Sequence, residues 1–469
     1  MRRHSLWLAQ RIWFLRPSVC RKRIGLLGPY SFGNLGNAAL QQSLIQHLSK
    51  RFPGSQFYGC CIDPDETPKT RQVSPFPLDR SVPWLQELAK IAPSLSQPGH
   101  TRQRPNKVRK WIKGTSIGSA LWSVAGRIRS VVGKVREEWI FCRDGYRFAR
   151  EFHFLVVGLG GVFDEAWGGK WRDLYSIFRW TVLARLARTP VLCLSVGVEE
   201  VHTTLGKFFC KTALSLAKYR SFRDEESKKK VEEMGVRGEN RIFPDLAFGL
   251  DLQKNLLSTA KQEKSKAIGV SPIAYYDPRF WPVQDVSAYQ TYLKRLASFV
   301  SWLLCSGYDV VLFPTQIRMD RTAIEELRAS VLEDVPVSLH DRLTDSKLRT
   351  VDECLALLSQ LAMVVTSRLH GVILSFLAGT PVLAISPANK IDSLMEDMEL
   401  TEYVLGIREI ELPWLVDRFQ KLDGNRDTMK NRLQQKVAEY RLAVEAQFDI
   451  VFSSEGFLDA TERRLHKRN

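Results

Sequence analysis

The chain has 469 residues, of which 44% are apolar and 25% are charged, and it carries a formal net charge of +17. This length is too great for one ordinary hydrophobic core and predicts two domains, and the composition excludes a disordered or fibrous protein. No apolar run reaches the roughly 18 residues that a membrane-spanning helix needs, so none is predicted.

The excess positive charge lies in two segments. Residues 1–23 contain seven Arg or Lys and no acid, and residues 101–150 contain thirteen Arg or Lys and three acids, so the remainder is close to neutral. The N-terminal segment, residues 1–22, is basic and amphipathic, but no small-residue cleavage site follows it, and we do not expect a secretory signal. The eight cysteines show no zinc-binding spacing, so no metal site is expected.

Residues 23–252 predict a first Rossmann-like domain. RIGLLG, at residues 23–28, reads as a buried strand, PYSFGNLGN as a loop, and AALQQSLIQHLSKRF has helical spacing. A strand, a glycine-rich loop and a helix are the opening unit of such a domain. In residues 53–83 we predict irregular structure apart from QFYGC as a second strand. Residues 84–150 form a predicted basic, helical insertion, after which strands and helices alternate.

The second half repeats this alternation. Residues 253–265 are predicted as a linker, residues 266–416 as a second Rossmann-like domain and residues 417–469 as a polar helical tail. Strand and helix alternation predicts parallel sheets with right-handed crossovers, and hence an α/β fold. Two such domains leave a cleft between them, and ligands of these sheets bind beyond the carboxyl ends of the strands.

The first candidate site is the loop GPYSFGNLGN at residues 28–37. Gly33 and Gly36 permit a close approach of the backbone, and the helix that follows offers free N–H groups to a phosphate or carboxylate. Asn34 and Asn37 would either cap this helix or contact a ligand. The loop is neither a dinucleotide fingerprint nor a P-loop, because Asn34 stands where the P-loop requires lysine.

Two further loops follow predicted strands of the first domain. In GLGGVFDE, at residues 158–165, Gly160 and Gly161 open space at the end of a strand, and Asp164 lies at the cleft or caps a helix. In SFRDEES, Arg223 either pairs with the neighbouring acids or presents its planar guanidinium to an anion.

The last candidate is SRLHG, which separates a predicted buried strand from a predicted buried helix. Arg368 and His370 therefore lie at the carboxyl end of the strand and in the first turn of the helix. An unpaired buried charge is costly, so Arg368 must reach an anion or water. The helix dipole disfavours the protonated form of His370. We interpret the pair as a functional site rather than as structural polar residues.

Together and in this order, the segments resemble the polysaccharide pyruvyl transferase family. GNLGN is similar to the family's G-N-x-G-D motif, GLGGVFD to its glycine-rich segment, and SFRDEES to its R-D-x-x-S motif. FPD at 243–245 is similar to the family's P-D, and SRLHG to its most telling signature, with a G-x-P turn and Lys390 beyond it. The chain departs from the pattern at Asn37–Ala38, where the family usually has Asp-Glu.

The resemblance implies a GT-B-like arrangement and transfer of a pyruvyl group from phosphoenolpyruvate to a sugar hydroxyl of a polysaccharide or lipid-linked saccharide. The product would be a pyruvate ketal, with release of phosphate and no cofactor. It implies catalytic roles for His370, Arg368, Arg223 and Asp164. The substrate-binding residues expected beside them are Gly33, Asn34, Gly36, Asn37, Gly160, Gly161, Ser367 and Lys390.

Two alternatives stay open. A GT-B glycosyltransferase that uses a nucleotide sugar is one, since Glu325 and Glu333 have the E-x7-E spacing of many such enzymes. A non-catalytic binding protein is the other, since residues 1–23 and 101–150 are basic and SALWSVAGRIRSVVGKVREEWIF predicts an amphipathic helix. For that helix we expect an anionic membrane surface rather than nucleic acid as the partner. This predicts a cytoplasmic protein at the inner face of a membrane.

Overall fold

The computed structural model describes residues 22–30, 33–61, 73–77, 116–158, 160–166, 169–252 and 266–452. The N-terminal basic segment up to residue 21, residues 84–115 of the insertion and the predicted linker at 253–265 lie outside these described residues. What the sequence indicates about those segments stays a prediction.

The first half of the chain forms a parallel sheet of seven described strands in the order β3-β2-β1-β4-β5-β6-β7. Its strands are β1 (Arg23–Tyr30), β2 (Gln56–Cys61), β3 (Val73–Pro77), β4 (Phe154–Val157), β5 (Val191–Val196), β6 (Tyr219–Phe222) and β7 (Arg241–Ile242). Its helices are α1 (Leu35–Arg51), α2 (Ser116–Ala149), α3 (Asp173–Leu186), α4 (Thr204–Leu216) and α5 (Glu225–Glu233), with a 3-10 turn at Leu246–Gly249.

The second half forms a parallel sheet of six described strands in the order β10-β9-β8-β11-β12-β13. These are β8 (Ala267–Ser271), β9 (Asp309–Leu312), β10 (Leu343–Asp345), β11 (Met363–Thr366), β12 (Val382–Ser386) and β13 (Val404–Gly406). The helices are α6 (Val286–Cys305), α7 (Ile317–Asp334), α8 (Val351–Gln360), α9 (Leu369–Leu377), α10 (Asn389–Asp397), α11 (Leu412–Gly424) and α12 (Arg426–Phe452).

The buried strands explain why this sequence forms parallel sheets. β4, β5, β11 and β12 are buried along their whole length, as expected when helices cover both faces of a sheet. The predicted α/β fold with two Rossmann-like units is therefore confirmed. β3 differs from the prediction, which treated its residues as irregular. It contains Pro75 and Pro77, and an edge strand tolerates proline because one side of it needs no hydrogen-bonded partner.

The C-terminal helix α12 returns to the first sheet. The ring of Phe452 packs against those of Phe52 and Phe154, with centroids 5.2 Å and 5.5 Å apart. Buried Gln447 hydrogen-bonds to the hydroxyls of Ser195 and Ser221. The helical tail expected from the sequence thus links the end of the second unit to the core of the first. None of the helices that the structure describes has both the length and the apolar character to cross a membrane.

The buried contact of Gln447 gives a stability prediction. Replacing Gln447 by Ala should lower the free energy of unfolding by about 1–3 kcal/mol, because it leaves buried polar groups without their partner. The control is Leu442→Ala on the same helix, where the side chain is 71% exposed, and its effect should stay within about 0.5 kcal/mol. Urea denaturation measures both, and equal midpoints for the two variants would contradict the role given to Gln447.

Candidate functional site

Loops at the carboxyl ends of the two sheets meet at one junction. The loop after β1 pairs with the loop after β9 through an isolated bridge between Asn34 and Gln316. The backbone N–H of Leu35 donates to the carbonyl of Thr315 at 2.8 Å. This contact brings the start of α1 to the second unit, so the candidate site is built from both halves of the chain.

The first turn of α1 lies against His370. Asn34 caps this helix, because its side-chain oxygen accepts hydrogen bonds from the N–H groups of Gly36 at 2.9 Å and Asn37 at 3.2 Å. A Cβ atom built on Gly36 would lie 2.2 Å from the imidazole of His370. Glycine is therefore required here so that the ring can rest on the helix N-terminus.

The glycine-rich loop after β4 lies next to this helix. Gly160 has a positive φ of 74°, and a Cβ atom there would lie 3.0 Å from the side-chain oxygen of Asn37. A Cβ atom on Gly161 would lie 2.3 Å from a carboxylate oxygen of Glu199. Both glycines make room for polar side chains of the site, whereas the sequence predicted space for a ligand at this loop.

A buried ion-pair network occupies the centre of the junction. The guanidinium of Arg223, whose side chain is 7% exposed, contacts Glu199 at 3.1 Å and Asp224 at 3.2 Å. Lys390, from the second unit, contacts the same Glu199 carboxylate at 3.1 Å. Burial tends to raise the pKa of Glu199, but Lys390 and Arg223 outweigh this effect and hold the pKa at about 2. Glu199 therefore stays ionised and joins the two halves.

Asp245 lies between the network and His370. Its Oδ2 atom is 3.9 Å from Nη1 of Arg223 and 3.8 Å from Nε2 of His370. Both Oδ2 of Asp245 and Nε2 of His370 are buried and have no hydrogen-bond partner among the described residues. Buried polar atoms normally form hydrogen bonds. These two atoms are therefore suited to bind a polar group of a ligand, or to move into contact with each other when a complex forms.

The environment of His370 favours its neutral form in the free protein. Burial lowers the pKa of His370, Asp245 raises it, and Arg223 and Lys390 lower it further. The net direction is downward, in agreement with the position of the ring on a helix N-terminus. A bound anion would have the opposite effect on this pKa.

Asp164 is a second carboxyl group of the junction whose pKa is displaced, in the direction opposite to that of Glu199. Burial raises the pKa of Asp164 to about 6, and the negative charge of Glu199 adds to the increase while Lys390 opposes it. The Oδ1 atom accepts a hydrogen bond from the N–H of Ala166 at 2.9 Å. The group is thus poised to exchange a proton near neutral pH.

Arg368 makes a contact that the sequence did not predict. Its Nε donates to Oδ1 of Asp320 at 3.0 Å, and one Nη group donates to the same oxygen. Asp320 is fully buried, and its other oxygen accepts from the N–H of Gln316 at 2.7 Å. The arginine is therefore aligned by an acid that also orders the loop meeting Asn34.

Ser367 has a different environment from its neighbours. It is 1% exposed and its hydroxyl lies 2.8 Å from the hydroxyl of Tyr292, which is also buried. Its N–H donates to the carbonyl of Ser271. These contacts fix the start of the loop that carries Arg368, so the structure places Ser367 in the support of the site rather than at the ion-pair network.

The structure brings most of the predicted site residues into one connected cluster. Direct contacts or close approaches connect Asn34, Gly36, Asn37, Gly160, Gly161, Arg223, His370 and Lys390, and the charge of Glu199 acts on Asp164. Gly33 accepts a hydrogen bond from the N–H of Ile317 in the same interdomain contact.

Sequence reasoning missed the roles of three acids. Glu199 lies three residues beyond the end of β5, so the rule that points to strand ends would have found it. Asp245 stands in the FPD segment, to which no role was given. Asp320 lies inside α7 and has no signal in the sequence, because only the fold brings it to Arg368.

Comparison with known proteins decides the family. The sequence profile described as polysaccharide pyruvyl transferase matches residues 34–389. The chain belongs to this family. The match covers more than half of the chain and includes every residue discussed above except Gly33 and Lys390.

Solved structures with a similar fold give a second comparison. The apo structure of OtsA has a TM-score of 0.53 at 9% identity and covers 91% of this chain and 98% of that chain. UDP-GlcNAc 2-epimerase from Neisseria meningitidis, bound to UDP-GlcNAc, has a TM-score of 0.46 at 10% identity, covering 88% of this chain and 94% of that chain. The likeness to OtsA, with two parallel sheets, confirms the GT-B-like arrangement expected for this pyruvyl transferase family member.

The raised pKa of Asp164 predicts a pH-dependent effect on stability. The folded state keeps this proton up to about pH 6, above the ordinary value of 3.8, so the free energy of unfolding falls as the pH rises through that interval. Asp164→Asn cannot ionise, so this fall in the free energy of unfolding should not occur in the variant. Its side chain still offers an oxygen to the N–H of Ala166. Its melting temperature should exceed that of wild type by more at pH 7.5 than at pH 5.

The control is Asp251→Asn at an exposed position, which should shift the melting temperature equally at both pH values. A shift of Asp164→Asn that does not depend on pH would contradict the assignment.

Proposed function

We propose that this enzyme transfers a pyruvyl group from phosphoenolpyruvate to a sugar hydroxyl of a polysaccharide or lipid-linked saccharide. The product is a pyruvate ketal, and phosphate is released. One observation carries the proposal: the half-buried His370 rests on a helix N-terminus, close enough to the guanidinium of Arg223 for that charge to act on its pKa, in a member of the pyruvyl transferase family. Few small donors match this arrangement as well as one with a carboxylate and a phosphate on the same frame.

Arg223 and Arg368 each keep N–H groups that can bind the carboxylate or the phosphate of phosphoenolpyruvate. Arg223 uses Nε and Nη2 in its hydrogen bonds, and Arg368 uses Nε and Nη2. The remaining Nη1 group of each makes no hydrogen bond to any described residue, although Asp245 lies 3.9 Å from that of Arg223. A guanidinium held by acids on one edge presents its other edge in a fixed direction, which favours recognition of a planar anion. Lys390 and the N-terminus of α1 add to the positive potential.

His370 acts as the acid in this proposal. In the free protein its pKa is low because of burial, but a donor with two anionic groups favours the imidazolium and raises that pKa. The histidine thus gains its proton when the donor binds. A general acid whose pKa is brought near the working pH contributes about 10²–10⁴-fold to the rate.

The proposed reaction balances without a further reactant. His370 protonates the methylene carbon of phosphoenolpyruvate, and the neighbouring carbon becomes an oxocarbenium-like centre that the first sugar hydroxyl attacks with loss of its proton. The phosphate group then leaves and accepts a proton, and a second hydroxyl of the sugar closes the ketal with loss of its own proton. Asp164, with a pKa of about 6, is suited to accept a proton from an acceptor hydroxyl.

The departure at Asn37 bears on the acceptor. Its side-chain oxygen faces Gly160, in the loop that also holds Asp164. An amide there can donate to a sugar oxygen, whereas the carboxylate usual in the family can only accept. We infer that the acceptor presents a hydrogen-bond acceptor at this position.

The proposed donor gives a prediction about catalysis. Purified protein should release phosphate from phosphoenolpyruvate when a suitable saccharide is present, and His370→Ala should reduce kcat by about 10²-fold or more because it removes the acid. His340→Ala is the control, since His340 precedes β10 at the opposite edge of the sheet. A coupled phosphate assay follows the reaction.

Ligand-dependent melting separates this proposal from the glycosyltransferase alternative. Phosphoenolpyruvate should raise the melting temperature, because a ligand that binds only the folded state stabilises it, and nucleotide sugars should not. Glu325 and Glu333, the E-x7-E pair, are both exposed on α7. Stabilisation by a nucleotide sugar alone would overturn the choice of donor.

A further prediction concerns Asp245, which we propose to be a positioning residue. Asp245 raises the pKa of His370, so Asp245→Asn should move the alkaline limb of the kcat profile to lower pH and leave KM for phosphoenolpyruvate nearly unchanged. Asp251→Asn, at an exposed site, should leave the profile in place. A uniform loss of kcat with an unmoved limb would show that Asp245 serves only the fold.

A further inference from the structure

The long helix α2 packs parallel to α3 through its C-terminal part. Arg179 donates to Glu138 at 2.9 Å, and the hydroxyl of Thr189, just beyond α3, donates to the carbonyl of Ala149 at 2.7 Å. Tyr175, in the first turn of α3, also donates to Glu138 at 2.7 Å. The helices thus run side by side from Ala149 to Glu138, where α3 begins.

The rest of α2 continues past the start of α3. Its remaining residues, from Ser116 to Glu137, extend by about 30 Å at 1.5 Å per residue. Because α3 directly follows the loop that carries Asp164, its start marks the edge of the sheet at which the site lies. The continuing part of α2 therefore projects beyond the edge of the first sheet at which the candidate site lies.

An apolar stripe on α2 faces away from the protein. Val132, Val135 and Trp139 are 60%, 63% and 62% exposed, and their spacing places them on one face of a helix with 3.6 residues per turn. The packed face carries Glu138, Phe141 and Gly145 instead. Large apolar side chains in such a row need a partner, because burial of apolar surface is favourable.

Three arginines of this helix lie beside the apolar stripe. Arg136, Arg143 and Arg147 are exposed, and their positions in the helix flank the apolar stripe. The guanidinium of Arg143 lies over the ring of Trp139, 5.5 Å from its centroid. Asp144 pairs with Arg143, while Glu138 belongs to the packed face. The outward face therefore combines apolar side chains with a net positive charge.

We propose that this face, formed by Val132, Val135, Arg136, Trp139, Arg143 and Arg147, docks onto an anionic lipid surface. Tryptophan and valine enter the headgroup boundary, and the arginines contact lipid phosphates, as in helices that lie in the membrane plane. A nucleic acid needs the arginines but not the valines, and a second copy of the chain would bring the same positive charge to the contact. An anionic bilayer complements both features.

The docking surface also fits the position of the site. The projecting end of α2 lies at the sheet edge that carries the site, so an acceptor held in the membrane by a lipid would be brought near it. This last step rests on the proposed function, whereas the docking itself does not. Binding of vesicles and phosphate release are therefore measured separately.

The test uses the full-length protein and sedimentation with vesicles of phosphatidylcholine, either pure or mixed with phosphatidylglycerol. Wild type should bind the mixed vesicles and be released by salt. Val135→Glu and Trp139→Glu should each weaken binding by about ten-fold, and Arg136→Gln by about five-fold, which is the contribution of one arginine near an anionic surface. Trp414→Glu is the matched control, since this tryptophan is 53% exposed on α11, and it should bind as wild type does.

Phosphate release with a soluble acceptor should be the same in all four variants, which shows that they are folded. Equal vesicle binding by Trp139→Glu and wild type would overturn the proposal, because the basic N-terminal segment would then suffice. Equal binding to neutral and anionic vesicles would also overturn it. So would a change of oligomeric state, or the loss of duplex oligonucleotide binding, as the only effect of the substitutions.

Discussion

The buried charge of Arg223 is the constraint on which the rest of this junction depends. A guanidinium removed from water is tolerated only with close counter-charges. Here Glu199 and Asp224 supply them at 3.1 Å and 3.2 Å, with Asp245 at 3.9 Å. Glu199 also binds Lys390 from the second half of the chain. The charge balance of the site is complete only when the two sheets are in place.

This crowding explains several glycines around the site. The imidazole of His370 occupies the space beside Gly36, the carboxylate of Glu199 the space beside Gly161, and the guanidinium of Arg223 the space beside Gly197, where a Cβ atom would lie 2.7 Å away. A side chain at any of these positions would displace a charged group. The glycines therefore serve the geometry of the polar cluster as much as the turns in which they occur.

The sequence predicted the parts of the structure that local pattern controls. Buried strands, amphipathic helices and the loops at strand ends were readable, and so were Arg223, Arg368 and His370, because each follows a buried strand. What it could not show is which acid meets which base. Asp320 lies in the first turn of α7, 48 residues before Arg368, and only the fold of the second unit brings the two side chains together. β3 was missed because its two prolines resemble a loop when the strand's edge position is unknown.

The central claim is that the cluster around His370 protonates phosphoenolpyruvate and transfers its pyruvyl group to a saccharide. The most direct measurement is mass spectrometry of the product formed in deuterated water. We expect one deuterium in the methyl group of the new ketal and one phosphate released per ketal formed. With His370→Ala we expect no ketal and no release of phosphate. A saccharide product without deuterium in that methyl group, or phosphoenolpyruvate left intact across a range of acceptors, would contradict it.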